Sequence, residues 1–319
     1  MRMPRYLSPT SIKMWEANRD QFYLYYLSDL KPARDPQTPP MAVGSAFDAY
    51  VKSFLVEKLL GKRPEFEFKT IFEAQVEPHN RDEALAAGKA VFDFYTRCGA
   101  LSDILLDLQG CIGQPKFEAS IEGYIAPLSG LHGDVPLLGK PDIFFMTKTG
   151  ARVIFDWKVN GYYSKQGISP HKWYARIRPG GDCHKDCWGS IHRDQGIMLC
   201  GHKEHSLCRV EPDWSAQCSI YAWLLGESVG SDFIVAIDQI ACRQGGMGMI
   251  PSMRVAQHRS RITPEFQEAL YRRAHYIWYQ IQTGHIFDNL PRASSDARCK
   301  MLDEVSQQPV DDAFNDLVR

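Results

Sequence analysis

The chain has 319 residues, 44% of them hydrophobic and 24% charged, with a formal net charge of −1. Such a composition is ordinary for a globular protein and points away from a fibre, a disordered chain or a globally basic nucleic-acid binder, so any nucleic-acid contact has to come from a local patch. No apolar run reaches the ~20 residues of a membrane helix, the first residues lack the apolar segment of a secretory signal, and the nine cysteines read as reduced thiols of a cytoplasm-like compartment.

Ser8-Pro9 ahead of Ile12, Trp15, Phe22 and Tyr26 predicts an N-capped amphipathic helix over 8–27. Lys31–Pro40 is a Pro-rich loop, and Val43, Phe47, Tyr50, Val51 and Phe54 keep helical spacing in a second helix that starts near Ala42. A helical insertion spans 61–112, clearest from about Glu83 to Leu108. Near Pro115 the pattern turns to β, with Phe117, Ala119 and Ile121 alternating against Glu118, Ser120 and Glu122 in one half-buried strand. Two apolar runs around Lys148-Thr149-Gly150 predict a hairpin from Gly139 to Val159.

A polar, Gly-, Cys- and His-rich excursion fills 163–212. Asp213 caps the next helix, which carries Trp214, Gln217, Cys218, Tyr221 and Leu225 along one side. Phe233–Cys242 reads as a buried strand. Thr263-Pro264 opens a helix whose stripe is Phe266, Leu270, Ala274, Ile277 and Ile281, with Gly284 at its end. Residues 286–319 read as a polar C-terminal tail behind a single domain over 1–285. The central order of helix, three strands, helix, strand predicts an α/β fold, a mixed sheet with helices on its faces.

The hairpin carries two acids and a lysine that strands disfavour. With Lys148-Thr149-Gly150 as a three-residue loop and Gly150 left-handed, position 147 pairs with 151. Asp142 then lies opposite Asp156, and Lys158 points to the same face. A two-residue Thr149-Gly150 turn would shift the pairing by one and separate the acids. Facing carboxylates repel unless one is protonated or a cation lies between them, and this hard-oxygen set suits Mg²⁺ or Mn²⁺. A lysine beside such an ion orients or deprotonates a water, or steadies a phosphate, which is the equipment of metal-assisted phosphodiester hydrolysis. The same residues also suit an exposed hairpin with a surface acid–base pair.

The order "GSAFDAY" (Gly44 to Tyr50), "GKPD" (Gly139 to Asp142), "DWK" (Asp156 to Lys158) and "QCSIY" (Gln217 to Tyr221) resembles the PD-(D/E)XK nuclease superfamily, in its RecB-like exonuclease branch of phage type. The resemblance runs from about Leu7 to Ile240. It implies a restriction-endonuclease-like αβββαβ core with helical and loop insertions. It also implies Asp142, Asp156 and the Trp157 backbone carbonyl as metal ligands, with Lys158 positioning or activating the attacking water. Gln217 and Tyr221, one helical turn apart, would face the site and the DNA, or else only pack on the sheet. Asp48 stands where the branch usually has His. It is read as a further metal ligand, the alternative being an acid favoured by the helix dipole. Glu118 is a weaker candidate whose alternative is an exposed strand residue. Some relatives carry a four-cysteine iron–sulfur cluster; with Asn18 at the N-terminal position and only Cys299 beyond Cys242, none is expected here.

Cys183, Cys187, Cys200 and Cys208, with His184, His192, His202 and His205, are enough for a structural zinc, although the spacing matches no standard module. The adjoining basic and aromatic residues, Lys165, Lys172, Arg176 and Arg178 with Trp173 and Tyr174 among them, suit phosphates and unpaired bases. The expected activity is a Mg²⁺-dependent deoxyribonuclease, an exonuclease by resemblance, in recombination, repair or phage DNA processing. DNA is the expected partner, with any unwinding left to a helicase or recombination protein. Two alternatives are a non-catalytic DNA- or protein-binding module with a zinc-stapled loop, and a site-specific endonuclease on the same core.

Overall fold

The computed structural model describes residues 1–30, 32, 35–127, 133–163, 189–192, 197–200, 205–243 and 252–307. Of the four proposed zinc ligands, Cys183, Cys187 and the Cys200 side chain, with the neighbouring histidines and the basic-aromatic stretch, lie outside these residues or outside what is described of their side chains; Cys208 is half-buried and accepts the Thr263 N–H at 3.4 Å.

Ser8 caps α1 (Pro9–Ala17) in a reciprocal capping box with Ser11, as the Ser-Pro signal predicts. The predicted single helix does not continue to 27. Asn18 leaves the helical region and caps a second turn, α2 (Arg19–Phe22), which passes into a π-helical turn over Tyr23–Leu27. An Asn side chain that bonds a local backbone N–H competes with helix continuation. α3 (Pro39–Leu60) starts earlier than expected because Pro39 and Pro40 occupy its first turn, where no N–H is needed. Its buried residues fall on more than one side. Val43, Phe47 and Val51 meet the sheet cluster, while Ala42, Ala46 and Ala49 meet α4 (Phe68–Gln75). The predicted insertion helix is two helices, α5 (Arg81–Arg97) and α6 (Ala100–Gln109), broken at left-handed Gly99.

The single strand expected near Pro115 is corrected to two strands in different sheets. β1 (Ile112–Phe117) pairs with β4 (Ile143–Met146), and β2 (Ile121–Ile125) pairs with β3 (Val135–Gly139). Glu118 makes the break: its φ is +46°, and its N–H donates to the Asp142 carbonyl at 3.1 Å. Alternation alone carries no mark of this turn, since Glu118 has neither the freedom of Gly nor the local bonding of Asn.

The main sheet runs β1, β4, β5 (Arg152–Asn160), β9 (Ile234–Arg243), β10 (Ser252–Arg261), β7 (Ile197–Cys200), β6 (Gly189–His192), with the short β8 (His205–Ser206) also against β10. β4, β5 and β9 are the centre. β4 and β5 are antiparallel, while β5 and β9 are parallel and joined through α8 (Pro212–Leu224). The fold is therefore α/β, a mixed sheet flanked by helices. Asp213 does not cap α8; Glu211 holds that position, with Pro212 opening the helix and Asp213 in its first turn. α7 is the preceding single turn, Leu207–Val210. The Thr263 cap, the Pro264 start and the Gly284 end of α9 (Pro264–Thr283) are as expected, and Leu270, Ala274, Ile277 and Ile281 are buried. The segment read as a tail holds α10 (Arg292–Gln307), docked through Asp303 to the Tyr23 and Ser28 hydroxyls. None of the described helices is long and apolar enough to cross a membrane.

Candidate active site

The hairpin register is the one the three-residue loop predicts. Ile143 pairs with Phe155 and Met146 with Arg152, while Thr147 and Gly150 close the loop with Gly150 at φ +83°. That pairing carries Asp142 to the place opposite Asp156. Asp142 Oδ2 accepts the Trp157 N–H at 3.1 Å, which pins the carboxylate across the strand end. The Lys158 ammonium contacts Asp156 Oδ2. The Gln217 side chain, from α8, spans both. It accepts from Lys158 Nζ at 3.1 Å, and its amide donates to Asp156 Oδ1 at 3.3 Å and to the Tyr221 hydroxyl at 2.8 Å.

α8 approaches this closely because Gly139 has no side chain. A Cβ there would sit 2.6 Å from the Tyr221 ring. Tyr221 is only 6% exposed, so it supports Gln217 from behind. Trp157 is buried, its indole N–H donating to the Tyr95 hydroxyl, which in turn donates to buried Asp238.

The second wall of the cleft is α3. Asp48 and Lys52 are one turn apart on the same face. Lys52 Nζ reaches Asp48 at 2.7 Å, Glu118 at 2.5 Å and Asp142 at 3.0 Å. The Gln75 amide donates to Asp48 and Glu118 at 3.1 and 3.0 Å. Glu118 also pairs with Lys140 at 2.5 Å. Glu118 is thus no exposed strand residue; its left-handed turn carries the carboxylate into the cleft. The site gathers Asp48, Glu118, Asp142, Asp156, Lys158 and Gln217 around one cavity of about 340 Å³. Trp157, Lys52, Gln75 and Lys140 also line it, and sequence reasoning passed over the last three. Lys52 had a signal, a lysine one turn after Asp48 inside an apolar helix. Gln75 and Lys140 had none.

The charges are set by competition between burial and pairing. Burial pushes Asp48 up to about 7, with Lys52 opposing and Asp142 adding to it. Burial likewise pushes Asp156 up to about 6 against the pull of Lys158. Burial acts on Asp142 too, but Lys52, Lys158 and the Trp157 N–H together hold it below the usual range. Glu118 is lowered in the same way, Lys52 and Lys140 outweighing burial. For Lys158, burial works downward, and Asp156 and Asp142 more than reverse it. Lys158 is therefore a cation here. A lysine that serves as a base needs the opposite shift.

The donor chemistry fits a hard divalent cation: four carboxylates, all oxygen, on one cavity, with Asp48 and Asp156 costly to ionise where they stand and Asp142 and Glu118 kept ionised by the lysines. Among the described residues, no three Asp, Glu, His or Cys side chains make a ready-made metal cage as they stand. Lys52 is the group standing between three of the acids.

No family model matches the chain, and no curated protein matches it. Among solved structures, one titled "Crystal structure of SSO0001" aligns over 83% of this chain and 85% of its own, at 9% identity and a TM-score of 0.26. A likeness that slight carries no argument about fold family or function.

Proposed function

We propose that the chain is a divalent-metal-dependent nuclease of the PD-(D/E)XK type that hydrolyses DNA phosphodiester bonds from ends. The observation that carries this reading is the convergence of Asp142, Asp156 and Lys158 on one cavity, bridged by Gln217. Asp142 just ahead of β4, and Asp156 and Lys158 within β5, have no structural need of one another, with Asp156 buried and the other two half-buried; apolar side chains would pack there at lower cost.

Asp142 and Asp156 would hold Mg²⁺ or Mn²⁺ together with the Trp157 carbonyl, while Asp48, a further ligand by the resemblance, and Glu118 hold Lys52 against Asp142 and would support the site through that lysine. Such an ion supplies Lewis-acid polarisation of the phosphate and a bound water of lowered pKa. The remaining work falls to the chain. The Lys158 ammonium donates to the attacking water or to a non-bridging phosphate oxygen and offsets the charge that develops there. Gln217 holds Lys158 and Asp156 in one geometry, and Tyr221 holds Gln217. Water attacks in line, the P–O bond to the leaving oxygen breaks, and a proton returns to that oxygen.

The test is degradation of linear and of covalently closed circular DNA with Mg²⁺, Mn²⁺ or EDTA, by wild type and Lys158→Ala. Metal-dependent loss of linear DNA is expected, reduced by about 10²–10³-fold in the variant. Cutting of the closed circle would replace the end-dependent reading with an endonuclease. A folded wild type that cuts neither would overturn the catalytic reading.

A further inference from the structure

Lys52 is the least expected charge in the molecule. It lies inside α3 with 2% of its side chain exposed, on a helix whose Val51, Leu55 and Val56 are likewise buried. A lysine ammonium has three N–H donors and no acceptor. Here each donor has its own carboxylate: Asp48 one turn back on α3, Glu118 in the turn after β1 and Asp142 just ahead of β4. Gln75 closes the far side by donating to two of the same three acids. The ammonium thus stands at the focus of the carboxylates, where a divalent cation would have to use the same oxygens.

We infer that Lys52 is a resident cation of the cleft, taking the position a second divalent ion would otherwise occupy between Asp48, Glu118 and Asp142, so that the site takes one metal, on the Asp142/Asp156 side. The formal charges agree. Four acids face Lys52, Lys140 and Lys158, a net charge of −1, which one divalent ion reverses. With Lys52 neutralised the net is −2, and a second ion becomes electrostatically affordable. The inference rests on the metal-binding part of the proposed function and not on DNA cleavage.

The experiment is a Mn²⁺ titration followed by electron paramagnetic resonance, without DNA, on wild type and Lys52→Met. Wild type is expected to bind one Mn²⁺ per chain. Lys52→Met is expected to bind a second ion, or the first at least about tenfold more tightly. Two ions on the wild type, none on either protein, or identical titrations of folded wild type and variant would each overturn the inference. The wild-type stoichiometry needs no variant, so a Lys52→Met chain that fails to fold still leaves a decisive arm. Lys52→Arg, which keeps the charge, is expected to keep one ion. The two readings fail separately. One Mn²⁺ per chain with no DNA cleavage breaks the nuclease and spares Lys52; cleavage with two ions on wild type does the reverse.

Discussion

The two walls of the cleft carry the same chemistry, carboxylates with a lysine, by different means. The hairpin wall brings Asp142, Asp156 and Lys158 together within seventeen residues of chain, through a tight loop and an alternating register. The helix wall spans 66 residues from Lys52 to Glu118 and 90 from Lys52 to Asp142. Its geometry depends on α3 being clamped between the sheet and two neighbouring helices. Local turn chemistry therefore fixes one wall, and long-range packing fixes the other. The first wall holds one lysine against two acids at the cleft, the second a lysine that three carboxylates saturate.

The comparison breaks most visibly in activity. Asp142→Ala and Asp156→Ala are each expected to lower metal-dependent DNA cleavage by about 10³-fold or more, because they remove the ion's holders. Asp48→Ala and Gln217→Leu are expected to cost only about 10–100-fold, as supports of those holders. Single-turnover cleavage rates of the four variants check this. Equal losses at Asp48 and Asp156 would make the helix wall a primary ligand set and erase the distinction.

Gly88→Ala tests the packing that fixes the helix wall. A Cβ on Gly88 would lie 2.5 Å from Ala46 Cβ and 3.0 Å from the Ala46 and Phe47 backbone, so α3 or α5 must move. Overpacking of this kind costs about 1–3 kcal/mol. Denaturant unfolding is expected to show that loss together with a fall in cleavage, since α3 carries Asp48 and Lys52. The same contrast explains what the sequence could be made to yield. The hairpin register, the α9 caps and the α/β order were all readable, because each rests on residues within one turn or one strand pair. The Glu118 break, the burial of Lys52 and the place of Gln75 were not. Each depends on a neighbour tens of residues away, and Glu118 adopts a backbone region that its residue type does not advertise. Residues 292–307 read as a tail for a related reason, their anchors being polar groups that meet Tyr23 and Ser28.

On the hairpin side the matching change is Gly150→Val. Gly150 sits at φ +83° with nothing near the place of a Cβ, so the substitution adds backbone strain and no clash. About 1–2 kcal/mol of stability should be lost. Cleavage should survive, because the apolar alternation of β4 and β5 holds the register even when the loop is strained. Loss of cleavage at full folding would mean that the loop alone sets the pairing of Asp142 with Asp156.

The smallest effect is expected at Gly44, and it separates the cleft from its walls. Gly44 lies in the interior of α3 and lines the cavity, and a Cβ there would meet nothing within 4 Å. Gly44→Ala should raise stability by about 0.5–1 kcal/mol, the usual gain when a helix interior loses a glycine, and leave cleavage unchanged. Gly44→Phe should keep the fold but put a ring into the space above Asp48, lowering cleavage mainly through a weaker substrate KM. Both walls would be intact in that variant, so its defect would belong to the space between them. If Gly44→Phe cuts DNA like the wild type, the phosphodiester does not pass along α3, and the hairpin wall must receive it from the Gln217 side.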